Sequence, residues 1–201
     1  SFLVPELRRE FGGCAGNIAY TLKHLGGTPL VKAALGNDGQ DYLARLRGWG
    51  LDTSLVHVAV DSYTAQAIII TDTDNNQITA FHPGAMQTAH LTEIAPRSDI
   101  RVAIIAPDGR DAMLQHAAQL DAAGIPFVFD PGQGLPMFDG GALRDFIGKA
   151  TWVAVNDYEG QMLQERTGWG PEEIAAKVRA YVVTKGADGS VIHAGGTQHR
   201  I

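Results

Sequence analysis

Three short runs in this 201-residue chain hold residue types suited to binding chemistry. In "GGCAGN", Gly12 and Gly13 stand directly before an apolar-periodic segment. A glycine pair there lets main-chain N–H groups meet a ligand with no side chain in the way. Asn17, in the first helical turn, carries an amide that donates and accepts, which suits a hydroxyl. In "NDYE", Asn156 and Glu159 stand three apart, on one face of a helix start. A carboxylate in that place can hold Mg²⁺ directly or through water. In "VTKGADGS", Thr184 ends a strand and Gly186 and Gly189 bracket a turn. Its hydroxyl could bond a phosphate, and the glycines would let a nucleotide lie against the backbone. Each run also has a plain structural explanation. The first fits a glycine-rich turn with tight helix packing. The second fits a helix N-terminus with Asn156 or Asp157 as cap and Glu159 favoured by the dipole. The third fits a simple hairpin loop. Residue types alone leave both readings open.

Other chemistries find less support. Cys14 has no histidine or basic residue beside it in sequence and reads as a small packing residue rather than a reactive thiol. The seven histidines (24, 57, 82, 90, 116, 193 and 199) show no metal-ligand spacing such as H-E-x-x-H. The dinucleotide fingerprint, the phosphate loop ending in Lys-Ser/Thr and the G-x-S-x-G elbow do not occur. A formal net charge of −6 argues against nonspecific nucleic-acid binding. No apolar run approaches the ~20 residues of a membrane span. With one cysteine no internal disulfide can form, and a soluble, cytoplasmic protein is expected. A hydrophobic content of 45% allows one domain with a real core. The opening "SFLVPELRRE" and the close "SVIHAGGTQHRI", which reads like a strand cut short, suggest an internal piece of a longer protein.

The elements around these runs follow from periodicity. Ile18, Leu22 and Leu25 fall at helical spacing, and Gly26-Gly27 can end that helix. "PLVKAAL" reads as a strand, "GNDGQDYLARLRGWG" as a helix whose start Asn37 and Asp38 mark, and "SLVHVAV" as a strand. Residues Thr64 to Gly84 alternate as a β-hairpin with turn chemistry at "DTDNNQ". Apolar residues on both its faces suggest that one face covers something other than water. Strands "RVAIIA", "PFVFD", "TWVAVN", "AYVVTKG" and "SVIHA" then alternate with helices, the last pair of which includes "GPEEIAAKVR". Near-continuous apolar strands alternating with helices predict an α/β fold, a mostly parallel sheet covered on both faces. Ligands in such sheets sit beyond the carboxyl ends of the strands. There the chain places "APDG", "DPGQG", "NDYE" and "TKGADG".

In this order the residues resemble the ribokinase-like, phosphofructokinase-B type of carbohydrate and nucleoside kinases. "GGCAGNIAYTLKHLGGTPLVKAALG" is similar to that family's first signature, with Gly12-Gly13, Asn17, Ala19, Gly26 and Gly36 at its positions. "NDYE" looks like its N-x-x-E motif and "VTKGADGS" like its nucleotide-side turn. "FGGCAGNIAY", "NNQITAFHPGAM" and "FDPGQGLP" look most like bacterial adenosine-kinase-like members. The resemblance implies a ribokinase-like domain over residues 1–201 and a small β lid built from segments about 1–10 and 62–82, which often pairs between subunits as a homodimer. It implies an ATP- and Mg²⁺-dependent transfer of phosphate to a primary hydroxyl of a nucleoside or sugar. Gly12, Gly13 and Asn17 would bind ribose hydroxyls and Asp108 would contact the sugar. Phe81 would stack on a base or pack in the core. Asn156 would touch phosphate, Glu159 would position Mg²⁺, and Thr184, Gly186 and Gly189 would line the nucleotide site. The family's G-A-G-D-like run, which carries the catalytic aspartate, has no counterpart here, nor has the aspartate of its first strand. The base is therefore expected beyond Ile201, and Asp130 lies in the wrong motif to replace it. If the chain truly ended there, a noncatalytic sugar- or nucleoside-binding module would be the alternative.

Overall fold

The computed structural model describes residues 4, 6–94 and 97–201. Apolar strands that alternate with helices form the expected layers. The main sheet has six strands in the order β10-β9-β8-β7-β6-β5. β5 (Ala103–Ile105), β6 (Phe127–Phe129), β7 (Trp152–Asn156) and β8 (Ala180–Thr184) run parallel, whereas β9 (Ser190–Ala194) and β10 (Thr197–Arg200) are antiparallel. Helices α3 (Arg110–Ala122), α4 (Gly140–Lys149), α5 (Asp157–Thr167) and the short α6 (Pro171–Ala175) connect them. A separate parallel pair, β1 (Leu30–Gly36) and β2 (Asp52–Ala59), goes with α1 (Cys14–His24) and α2 (Gln40–Gly48). The mostly parallel sheet flanked by helices agrees with the sequence expectation.

The principal core lies between the main sheet and α3, α4 and α5. Phe127, Phe129, Phe138, Phe146, Ile147, Val153 and Leu163 are all buried there. The rings of Phe129 and Phe146 stack 4.4 Å apart, and Phe138 meets Phe146 edge-on at 5.0 Å. Ala19, Val31, Leu46 and Leu51 make a smaller core under α1 and α2.

Several local expectations need correction. The terminal "SVIHAGGTQHRI" is a hairpin, not one strand. Gly195 and Gly196 both have positive φ, which a two-residue turn of this hand requires and which β-strands cannot continue. The helix expected over "GPEEIAAKVR" stops at Ala175. Asn37 and Asp38 do not cap α2, whose first residue follows Gly39 with no side-chain cap. Their side chains turn to the base of the hairpin, where Asn37 donates to the Val60 carbonyl and Asp38 accepts from the Thr64 amide.

The predicted hairpin is present as β3 (Gln66–Thr71) and β4 (Gln77–His82), a two-stranded antiparallel sheet by itself. Asp72 organises its tip by accepting from the amides of Asp74 and Asn76. Every residue of both strands is exposed, so among the described residues nothing covers either face. Residues 4 and 6–10, expected to join the lid, form no strand; residues 1–3 and 5 lie outside the described residues.

Truncating Phe146, which is 1% exposed and touches two other rings, should leave a cavity where the core is densest. Phe146→Ala is expected to lower the unfolding free energy by about 3–5 kcal/mol, measured by urea denaturation. A loss below about 1 kcal/mol would contradict this packing.

Candidate functional site

Strand register assembles the site. Ile105 pairs with Phe129 at the ends of β5 and β6, and Asn156 pairs with Thr184 at the ends of β7 and β8. Asp108, Asp130, Asn156 and Thr184 follow or close these strands, so they gather along the carboxyl edge.

Gly12 and Gly13 lie at the start of α1. Gly13 has φ 95° and ψ 148°, a conformation that L side chains rarely adopt. A Cβ added at either glycine would meet nothing within 4 Å, so both face open space. Tight helix packing therefore does not explain this pair. It does explain Gly16, where a Cβ would come within 1.9 Å of the Tyr42 hydroxyl. Asn17 follows with an exposed side chain.

Cys14 corrects a sequence expectation, because it is exposed at the helix start rather than packed. Partial desolvation, then the fields of Asp130 and Asp108, push its thiol pKa up. Both strand-end carboxyls are thus near enough to the first residue of α1 for their charge to be felt there. The thiol is thereby kept protonated, the opposite of what a nucleophile needs.

Asp108 is the most perturbed carboxyl of the site. Burial pushes it from 3.8 up to about 6, opposed by a hydrogen bond from the Gly109 amide and by the Lys32 ammonium. Lys32, in β1, donates to the Ala89 carbonyl at 2.8 Å, and burial lowers its own pKa. Asp130 is raised by burial and by the charge of Glu159. Asp130 thus belongs to the site, and Lys32 lies against it. Neither had a motif to identify it. The signals available were a strand-end aspartate in "FDPG" and a lone charge inside the apolar "PLVKAAL".

Asn156 and Glu159 form a reciprocal helix cap on α5. The Asn156 Oδ1 accepts from the Glu159 amide at 2.8 Å, and Glu159 Oε2 accepts from the Asn156 amide at 2.9 Å. The capping explanation is correct as far as it goes. It uses one oxygen of each side chain and fixes the orientation of the rest. Among the described residues no hydrogen bond engages the Asn156 Nδ2 or the Glu159 Oε1. Both residues line a groove of about 390 Å³ with Gly132, Gln133, Tyr158 and Met162.

Thr184 is exposed, its hydroxyl only weakly engaged with the Val155 carbonyl at 3.4 Å. Gly186 has φ 57° with open space around it. Gly189 is different: a Cβ there would lie 1.9 Å from the Ile201 carbonyl oxygen, so strand packing already requires glycine. Phe81 stands in β4, 56% exposed, and is not part of the core.

An open parallel α/β sheet with hydroxyl- and phosphate-suited groups at its carboxyl edge is the architecture of a ribokinase-type fold. The family model for pfkB family carbohydrate kinases matches residues 1–201, and the chain belongs to that family. The nucleoside kinase of Methanocaldococcus jannaschii is 31% identical over 197 residues, an alignment covering 96% of this chain and 64% of the relative. The nucleoside kinase of Burkholderia thailandensis, solved in complex with inosine, is 52% identical with a TM-score of 0.94. It is matched over all of this chain and 66% of its own length. The same enzyme in complex with ADP-inosine gives a TM-score of 0.92. The chain thus spans just under two thirds of these relatives. No helix among the described residues is long and apolar enough to cross a membrane.

The raised Asp108 pKa has a definite sign in stability. Folding favours the protonated carboxyl, so its contribution is full below 3.8 and is lost as the pH rises through about 6. Asp108→Asn keeps an oxygen for the Gly109 amide and removes the buried charge. It should raise the thermal midpoint at pH 8, by the equivalent of up to about 2–3 kcal/mol, and give little gain at pH 4. Equal gains at both pH values, measured by calorimetry, would contradict this assignment.

Proposed function

We propose that this protein transfers the γ-phosphoryl group of ATP to a primary hydroxyl of a nucleoside, with a purine nucleoside such as adenosine or inosine as acceptor. One observation carries the reading: Gly12 and Gly13 face open space at the start of α1, and the Asn156–Glu159 pair lines an open groove at the carboxyl edge of the main sheet. Phosphoryl transfer is mostly positioning and charge stabilisation, so it needs an acceptor site and a phosphate site side by side. The inosine complex of the 52% identical relative supports a nucleoside over a free sugar.

In this reading the amides at the start of α1 and the Asn17 side chain take the ribose hydroxyls. Asp108, held close to neutral pH, accepts or donates to a further hydroxyl. Phe81 on the hairpin stacks on the base as the lid comes over it, and the exposed β3 and β4 are also the proposed contact with a second copy. Asn156 bonds a phosphate oxygen. Thr184 and Gly186 accommodate the nucleotide, and Gly189 holds the turn in shape beside them.

The residues present suit magnesium. Burial raises Asp130 and the charge of Glu159 adds to it, and a divalent cation would relieve that added repulsion. No group of three or more His, Cys, Asp or Glu able to hold a metal occurs among the described residues, so phosphates and waters would complete the shell. Glu159, with Asp130 near it, would hold the ion, which supplies neutralisation of phosphate charge. Neither Asp108 nor Asp130 is assigned the role of general base. The proposed working location is the cytoplasm, where ATP is available.

The decisive assay follows ADP release from ATP with inosine, adenosine, ribose and fructose in separate reactions. Nucleosides should exceed both sugars in kcat/KM by about 100-fold or more, since buried polar groups left unpaired penalise the wrong acceptor. A preference for either sugar would overturn the acceptor assignment. Glu159→Gln should raise the Mg²⁺ concentration for half-maximal rate by about 10-fold or more. An unchanged Mg²⁺ dependence would remove Glu159 from the metal site.

A further inference from the structure

We infer that the turn after β1 and the first turn of α2 form a mounting bracket that ties the root of the β3–β4 hairpin to the Gly12–Gly13 strap, with Asp38 and Tyr42 as its positioning residues. The structural part stands alone, and its catalytic consequence rests on the nucleoside-kinase reading.

Among the described residues, the hydrogen bonds that tie the hairpin to the body lie at its root. Asp38 Oδ1 accepts from the Thr64 amide at 2.7 Å, and Oδ2 accepts from the Gln66 side chain at 3.1 Å. The Gly36 amide donates to the Thr64 hydroxyl at 2.9 Å, and the Asn37 amide donates to the Ser62 carbonyl at 2.9 Å. From the other side, the Ala85 amide donates to the Tyr63 carbonyl at 2.8 Å. The fit is close enough to exclude side chains. A Cβ on Gly36 would lie 2.2 Å from the Tyr63 carbonyl carbon, and one on Gly84 would lie 2.2 Å from the Tyr63 oxygen. Residues 62–64 are therefore clamped between two glycines, while the strands beyond them are exposed throughout. Hydrogen bonds from Thr64 are also the first cause of the lowered Asp38 pKa, so the carboxylate stays charged.

Four residues after Asp38, Tyr42 reaches the other partner. Its hydroxyl donates to the Gly12 carbonyl at 2.9 Å, and its ring stacks on Phe11 at 4.8 Å with the planes 5° apart. Arg45 lies over the Phe11 ring at 5.4 Å. Leu43 and Leu46, both buried, fasten α2 to the body, and Tyr42 packs against the same small core as Leu46. The β1–α2 turn and the first turn of α2 thus anchor the proposed cover and the proposed floor of the acceptor site.

The test uses the full-length protein with Asp38→Ala, Asp38→Asn, Tyr42→Phe and the Asp38→Ala/Tyr42→Phe double variant. Hydrogen exchange is read on the ligand-free protein, which does not depend on the function assigned. Asp38→Ala should speed exchange over residues 62–82 by about 10-fold, with β6, β7 and β8 unchanged. Asp38→Asn should restore most of the protection, because its amide oxygen can still accept from Thr64. Tyr42→Phe keeps the ring stack and should speed exchange only near residues 12–16. In turnover Asp38→Ala and Tyr42→Phe should each raise the nucleoside KM about 3- to 10-fold with the ATP KM unchanged, and Asp38→Asn should stay near the unmodified value. The double variant should raise it by less than the product of the two, the mark of coupled residues. Unchanged exchange in the hairpin of Asp38→Ala, or fully multiplicative KM effects, would overturn the bracket. If the unmodified protein neither binds nor phosphorylates nucleosides, the functional reading fails while the exchange data still decide the inference.

Discussion

Parallel pairing of β5, β6, β7 and β8 is the interaction on which the candidate site depends. Each strand is short, and its pairing leaves the carboxyl ends side by side. A slip of one residue in any of them would turn its apolar side chains to the wrong face and withdraw its polar end from the cluster. The packed rings of Phe129, Phe146 and Phe138 oppose such a slip, because their volumes fill one arrangement. The core and the site are in this sense the same structural fact seen from two ends of the strands.

That arrangement concentrates negative charge. Asp108 and Asp130 are both driven toward the neutral form by burial, and Asp130 also by Glu159. Lys32 answers part of the charge at Asp108 from within β1. A group of carboxyls held in this way is costly to leave alone. It gains most from a guest that brings hydroxyls or a cation to it, as perturbed carboxyls at functional sites generally do. The protonated Cys14 beside them adds no charge of its own.

Much of this was legible in the sequence, for reasons that can be named. Alternating apolar strands and helices specified the layers, because period-2 and period-3.6 patterns cannot be exchanged. The hairpin showed in its alternation and in the Asp72–Asn76 turn. The glycine pair stood out because few structural uses call for Gly-Gly before a helix. What could not be read were contacts between distant segments. Asp38 looked like a helix cap, since nothing in the local sequence shows that Thr64 will compete for its carboxylate. Gly189 looked like a ligand-facing glycine, although the carbonyl that demands it belongs to Ile201. Asp130 was set aside on motif grounds, whereas its neighbours Glu159 and Cys14 come from other elements. Gly195-Gly196 was a readable turn signal that a cut-strand reading passed over.

The most direct measurement is a titration of the isotopically labelled protein with inosine, following backbone amide resonances. The amides of Gly12, Gly13 and Cys14 should shift together and saturate at one affinity. A saturating response confined to other parts of the sheet edge, with those three amides unmoved, would show that the bare main chain at the start of α1 does not receive the nucleoside.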